Sequence, residues 1–314
     1  MIRPHPAQLT QLGRRGSVMV LALWALLLLS AAIFTWVKFI NVNIAVTGDR
    51  NNGLQAKALA HSGVMVALSP QVSSLTPLLV QQFDPDHGYK AQMTGEGGRL
   101  NLNWIFTPPQ GPDPVKIAIF QRYLIRRGLN IKQQTHLIDS VLDYLGPPNL
   151  HRLNGAEDTD TYHPPHRGSF LSVEELADVA GSQPLVSQPD WQDDFTIYTT
   201  PGFIDLQSAS LRIIESLPGV GEANAQRFLR VRQGPDGLDG TADDHIFTGI
   251  AEAISYLGLS SLQAQAITNY VDIENPPVTV HILSTGQCGV VTRRVEVVAK
   301  KTGMQPIIMT WKEL

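Results

Sequence analysis

The sequence predicts an α+β protein in which one long N-terminal helix leads into a small antiparallel sheet, with a large all-helical block inserted between its strands. An uncharged apolar run lies near the N-terminus, alternating strand patterns occur near residue 100 and again after residue 276, and amphipathic segments fill the interval between them. The chain has 314 residues, enough for about two domains. Its 43% hydrophobic and 17% charged content is that of a folded protein rather than a disordered one. A net charge of −4 lacks the basic excess of a nucleic-acid binder, so no nucleic-acid partner is expected. The single cysteine, Cys288, cannot close an intramolecular disulfide and reads as a small packed side chain in a strand.

The N-terminal signal comes first. Residues 1–16 are polar or small and include Arg3, Arg14 and Arg15, and no charged residue then appears from Ser17 to Val37. As a helix this stretch spans about 30 Å, the thickness of a bilayer core. It lacks the polar face that a soluble core helix would show, apart from Ser30 and Thr35. Arg14 and Arg15 before it, against Lys38 alone just after it, predict an N-terminus kept in the cytoplasm and a chain exported beyond the membrane. Ser30-Ala31-Ala32 imitates a signal-peptide cleavage site, but the apolar run continues through Ile33, Phe34, Trp36 and Val37.

Beyond Lys38 the helix is expected to continue, with Leu54, Ala58, Ala60, Val64, Ala67 and Leu68 at helical spacing, until Pro70 ends it. Gly48, Gly53 and Gly63 each weaken it by about 1 kcal/mol relative to alanine. Gly95, Gly97 and Gly98 mark a turn, and Leu100, Leu102 and Trp104 alternate with Asn101 and Asn103 as on a half-buried strand. After the Pro-rich linker TPPQGPDP, the segments IAIFQRYLIRRG and THLIDSVLDYLG read as amphipathic helices stopped by Gly128 and Gly146. FLSVEELADVAG reads likewise, with Ser172 as its N-cap. His136, Asp139 and Asp143 read as the solvated edge of the second of these helices.

The segment IDLQSASLRIIESLPGVGEANAQRFLRVRQ has two short helices around Leu217-Pro218-Gly219-Val220-Gly221, with Ser208 or Ser210 capping the first. In nucleic-acid-binding versions of this hairpin, backbone N–H groups cradle a phosphate, and Arg227, Arg230 and Arg232 are the residues that would serve one. Glu222 at the helix entrance opposes that use. Two acidic loops carry a metal hypothesis. Asp236, Asp239, Asp243 and Asp244 are interleaved with Gly234, Gly237 and Gly240, and several carboxylates in a sharply turning loop suit Ca2+. Glu157, Asp158 and Asp160 form the second loop, where nearby His163 and His166 hint at a softer metal. After Pro276-Pro277, VTVHILS, RRVEVVAK and PIIMTWKEL read as strands expected to pair with the strand around Leu100–Trp104. No G-x-S-x-G, H-E-x-x-H or P-loop is present, and no nucleophile, base and orienter fall together, so an enzyme is not expected.

Arg14-Arg15-Gly16-Ser17, followed at once by the apolar helix, resembles the processing site of type IV prepilins and pseudopilins. The resemblance implies a leader cut after Gly16 on the cytoplasmic side by the prepilin peptidase, with Ser17 as the N-methylated first residue. Most pilin-like proteins carry a glutamate at the fifth mature position, and here that position is Leu21. A carboxylate in hydrocarbon is costly without a partner, so a subunit with none ahead of it has no use for one. That absence, the Gly98–Asn103 stretch and the helix-hairpin-helix unit are similar to the minor pseudopilin K family of type II secretion systems. The resemblance implies a type IV pilin-like fold carrying an inserted all-α, SAM-like domain. Its segments would be a leader at 1–16, a transmembrane helix at 17–37, the spine helix and first strands at 38–107, the helical insert at 108–275 and completing strands at 276–314. It further implies single-pass residence in the inner membrane with the bulk in the periplasm, a place at the pseudopilus tip, and calcium in the helical region. The implied partners are minor pseudopilins I, J and H and the major pseudopilin G. The alternative is a membrane-tethered DNA receptor using the helix-hairpin-helix.

Overall fold

The computed structural model describes residues 14–106, 112–156, 158–199, 202–241, 243–303 and 305–314, with the backbone alone at 14–17 and 44–47. In chain order the elements are α1 (Arg14–Leu68), β1 (Val80–Asp84), β2 (His87–Gly95), β3 (Leu100–Asn101), α2 (Leu102–Phe106), α3 (Pro114–Arg126) and α4 (Ile131–Leu145). There follow α5 (Gln183–Val186), β4 (Phe195–Thr196), β5 (Ile204–Asp205), α6 (Leu211–Ser216), α7 (Glu222–Arg232), α8 (Ile250–Leu257), α9 (Ser261–Ile267) and β6 (Val271–Asp272). Three long strands close the chain: β7 (Thr279–Cys288), β8 (Val291–Lys300) and β9 (Ile307–Glu313).

The chain divides into two units, Met1–Gln55 and Ala56–Leu314. Within the second, five antiparallel strands form one sheet in the order β1-β2-β7-β8-β9. Alternation decides which face is covered. Val280 and Ile282 on β7 and Val295, Val297 and Ala299 on β8 turn inward, together with Ala91 and Met93 of β2. They bury the Ala60, Val64, Ala67 and Leu68 face of α1 in one core. The helix and the sheet meet through small residues: a Cβ on Gly63 would strike the Ser284 hydroxyl, and one on Gly286 would strike the backbone of Ala56 and Ala60. Gly63 therefore sits where close packing requires it, despite its cost in helix propensity. The C-terminal carbonyls of α1 find a partner in Lys301, whose ammonium donates to Ala67 O at 2.8 Å and to Val72 O at 2.7 Å.

The strand that joins the C-terminal strands is His87–Gly95, not Leu100–Trp104 as the alternation there suggested. Only Leu100 and Asn101 are extended, and they pair in parallel with Phe195 and Thr196. From Leu102 the chain is helical because Leu102, Ile105 and Phe106 recur at helical spacing and are buried together, while Asn101 Oδ1 accepts from the Trp104 amide at 3.0 Å as a cap.

The segment 170–181 also departs from expectation. Phe170, Val173, Leu176 and Val179 are buried at a strict spacing of three, the period of a 3₁₀ turn, and Glu174–Asp178 adopts that form. Ser172 is not its N-cap. That position is Val173, which offers no side-chain cap. The buried apolar residues of the helical block, from Leu100 to Val271, form a second core. Its polar centre is Asp194, which accepts from Tyr123 Oη at 2.9 Å, Arg127 Nη2 at 2.6 Å and Arg212 Nε at 2.8 Å.

Asp143 is likewise not on a solvated edge. It is buried, with Arg152 donating to it from both the backbone and the guanidinium.

Candidate functional site

The first candidate site is the apolar face of α1. From Val18 to Val42 its large apolar side chains stand exposed, among them Leu21, Trp24, Phe34 and Trp36. Within this unit the few polar groups are satisfied locally: Thr35 Oγ1 donates to Ala31 O at 2.8 Å, and Lys38 lies 5.1 Å from the Phe34 ring centroid. The helix is long and apolar enough to cross a membrane, with a mean hydropathy of 2.5 over its most apolar window. Gly16 and Ser17 lie in its first turns, and Leu21 stands exposed one turn on. No carboxylate occurs on it before Asp49.

The second candidate is the helix-hairpin-helix with its acidic loop. Ser210 occupies the N-cap position of α6, but its hydroxyl turns to Asp194 Oδ1 at 3.2 Å. Ile213, Ile214, Leu217, Val220, Ala225 and Phe228 bury the hairpin. Arg232, expected to be available for a phosphate, is 1% exposed and donates to Leu206 O at 2.9 Å, to Ala209 O at 2.7 Å and, through Nε, to Asp239 Oδ1 at 3.0 Å. Arg227 is exposed and reaches the Tyr256 carbonyl at 3.3 Å, and Arg230 is exposed as well. Arg232 therefore braces the core of the hairpin and is not available to a phosphate.

The four aspartates of the first acidic loop come together, though each is turned to a donor of the protein. Asp239 pairs with Arg232 and Gln233, and its carbonyl takes the Gln92 amide at 2.8 Å, tying the loop to β2. Asp236 Oδ1 accepts from the Leu238 amide at 2.8 Å, and Asp243 from Thr241 Oγ1 at 2.8 Å and the Asp236 amide at 3.2 Å. Asp244 Oδ2 accepts from the Gly240 amide at 2.6 Å, yet burial pushes its carboxyl up, helped by the neighbouring Asp239 charge. The Thr241 hydroxyl holds Asp243 low.

The donor set is all oxygen and carries four carboxylates against one guanidinium, which fits a hard divalent cation in kind. Among the described residues, however, no three carboxylate, imidazole or thiolate groups converge as a ready metal site. In the second loop Asp158 pairs with His163 at 2.7 Å and Asp160 is exposed, while Glu157 lies outside the described residues. His166 is turned away, to the Gly146 carbonyl at 2.7 Å. The pair α8 and α9 was missed in the sequence. Its signal was Ser260 and Gln263, which form a capping box.

Residues 98–188 match the family model described as type II secretion system (T2SS), protein K. A search of curated proteins found no match. Among solved structures, a chain of the GspK-GspI-GspJ complex from the enterotoxigenic Escherichia coli type 2 secretion system superposes with a TM-score of 0.58 at 11% identity. The superposition covers 88% of this chain and 99% of that one. Residues 98–188 are thus similar to protein K of type II secretion, and the chain shares the fold of the GspK-GspI-GspJ chain on which it superposes.

Proposed function

We propose that the chain caps the pseudopilus as its tip subunit and starts assembly by joining minor pseudopilins I and J through its N-terminal helix, for the export of folded proteins. The observation that carries this reading is Leu21: the helix offers an apolar face and no carboxylate to a subunit ahead of it. The bulk of the helical insert opposes addition of a further subunit at that end. The protein acts as a structural subunit rather than an enzyme. It resides in the inner membrane with the arginine-flanked end cytoplasmic, a reading supported by Arg14 and Arg15. The GspK-GspI-GspJ assembly supports I and J as partners; H and the major pseudopilin G join below them. Co-expression of the full chain with pseudopilins I and J is expected to yield a complex of one copy of each that does not extend from the K end. Failure to associate, or growth from that end, contradicts the proposal.

Calcium belongs to the same reading. Asp236, Asp243 and Asp244 would hold it, with Asp239 remaining on Arg232, and Asp158 and Asp160 would hold it in the second loop. The bound ion would supply positive charge to an acidic loop packed on β2. Millimolar calcium is expected to raise the melting temperature, by about 2.7 kcal/mol of added stability at a hundredfold excess over Kd, and chelation to reverse it. No response to either sinks the calcium assignment while leaving the tip reading intact.

A further inference from the structure

The chain crosses between sheet and helical block twice, outward through the Glu96–Gly98 turn after β2 and back through β6 and Glu274–Pro277 into β7. Both crossings close on Asp205. Its strand β5 pairs in parallel with β6, and its side chain is completely buried. Oδ1 accepts from the amides of Gln207 and Glu274, both at 3.0 Å, while Oδ2 has only the Ser208 hydroxyl beside it and makes no well-formed hydrogen bond among the described residues. The outgoing turn presses on it without a gap. A Cβ on Gly98 would run into the backbone of Ser208 and Ala209, and one on Gly97 would lie 3.1 Å from Asp205 Cβ and 3.4 Å from Glu274 Oε2.

One cation and one carboxyl act on this group directly. Glu274 faces it from the returning crossing and has Asp272 beside it, and Glu96, paired at 3.5 Å with Arg99, sits in the outgoing turn. Asp239 and Asp244 of the acidic loop line the same small cavity as Glu274. From α7 comes Arg232, already shared among Leu206 O, Ala209 O and Asp239. An ionised carboxylate with one poorly partnered oxygen, out of reach of water, is costly there, whereas a neutral carboxyl is not.

We propose that Asp205 is a proton-operated clasp: protonated, it holds the helical block against the sheet, and ionised, it loosens that joint. Burial pushes the carboxyl up, against the pull of the Glu274 and Gln207 amides, the Ser208 hydroxyl and Arg232. Burial and the Asp205 charge push Glu274 up as well. A folded-state pKa above the unfolded one means that the native joint binds the proton more tightly. Its stability is therefore full below the ordinary carboxyl range, near about pH 4, and falls as pH rises through the folded value. Glu252 and Glu296, held low by their hydrogen bonds, act in the opposite sense and at lower pH, outside this window.

The test is amide hydrogen exchange of the full chain in lipid nanodiscs from pH 5 to pH 8, corrected for intrinsic rates, at the amides of Gln207 and Glu274. Protection in the wild type is expected to fall by about tenfold per pH unit between the ordinary carboxyl range and the folded value, and to level off above it. In Asp205→Asn the fall should shrink to the part carried by Glu274, because the amide side chain can still accept both hydrogen bonds and carries no charge. Glu274→Gln keeps the titrating group but removes a facing carboxyl, so its transition should move to lower pH. Identical profiles in wild type and Asp205→Asn overturn the proposal. If Asp205→Asn does not fold, a pH-independent wild type or an unshifted Glu274→Gln transition does so instead.

Discussion

Replacing Gly286 by valine is expected to undock the soluble end of α1 from the sheet. The new Cβ would meet the Ala56 carbonyl oxygen and the Ala60 nitrogen, and these are backbone atoms of a regular helix that cannot rotate aside. Gly286 is also paired on both sides, to Tyr89 on β2 and Arg293 on β8, so the strand cannot retreat without losing two ladders. Overpacking of this kind costs about 3 kcal/mol. In a unit of this size that corresponds to a melting temperature lower by roughly 6–12 °C, read on the detergent-solubilised full chain. Val290→Ala, on the same hairpin but 95% exposed, is expected to change stability by less than about 0.5 kcal/mol. Equal effects of the two substitutions would mean that the close helix–sheet contact is unimportant.

Asp194→Ala is expected to be as damaging to the helical block. Asp194 is 1% exposed and serves as acceptor for Tyr123, Arg127, Ser210 and Arg212, so one carboxylate ties α3 to the start of α6. Burial and the Asp194 charge push the Tyr123 phenol up, so this hydroxyl stays a donor at every physiological pH. Removing the carboxylate leaves the mostly buried Arg127 without its counter-charge, and breaking such a pair costs about 3–5 kcal/mol. Denaturant unfolding of the full chain reads the loss directly. Asp194→Asn should fall between wild type and alanine, because it restores acceptors without charge. A loss below about 1 kcal/mol for Asp194→Ala would contradict the role assigned to it.

Much of this protein could be read from its sequence because its strongest signals are local. The uncharged span from Ser17 to Val37 needs no tertiary context, and neither does the alternation of Val295, Val297 and Ala299 on β8. Gly146 likewise ended α4 at Leu145 as expected. The errors arose where two periods fit one short run. Leu100, Leu102 and Trp104 satisfy a strand, while Leu102, Ile105 and Phe106 satisfy a helix, and burial under the helical block decided for the helix. At 170–181 a spacing of three was taken for one of 3.6, and the 3₁₀ form followed from packing. Arg232 and Asp143 looked like surface charges, since nothing local marks a long polar side chain as the centre of a core. Asp205 was invisible for the same reason: its partners, Gln207 apart, come from segments distant in the chain.

The most direct measurement is the mass of the mature N-terminus in the native membrane. A chain beginning at an N-methylated Ser17, with residues 1–16 removed, is the expected result for a subunit processed and assembled as a minor pseudopilin. An intact Met1, or a chain cut near Ala32 and free of the apolar helix, would contradict it.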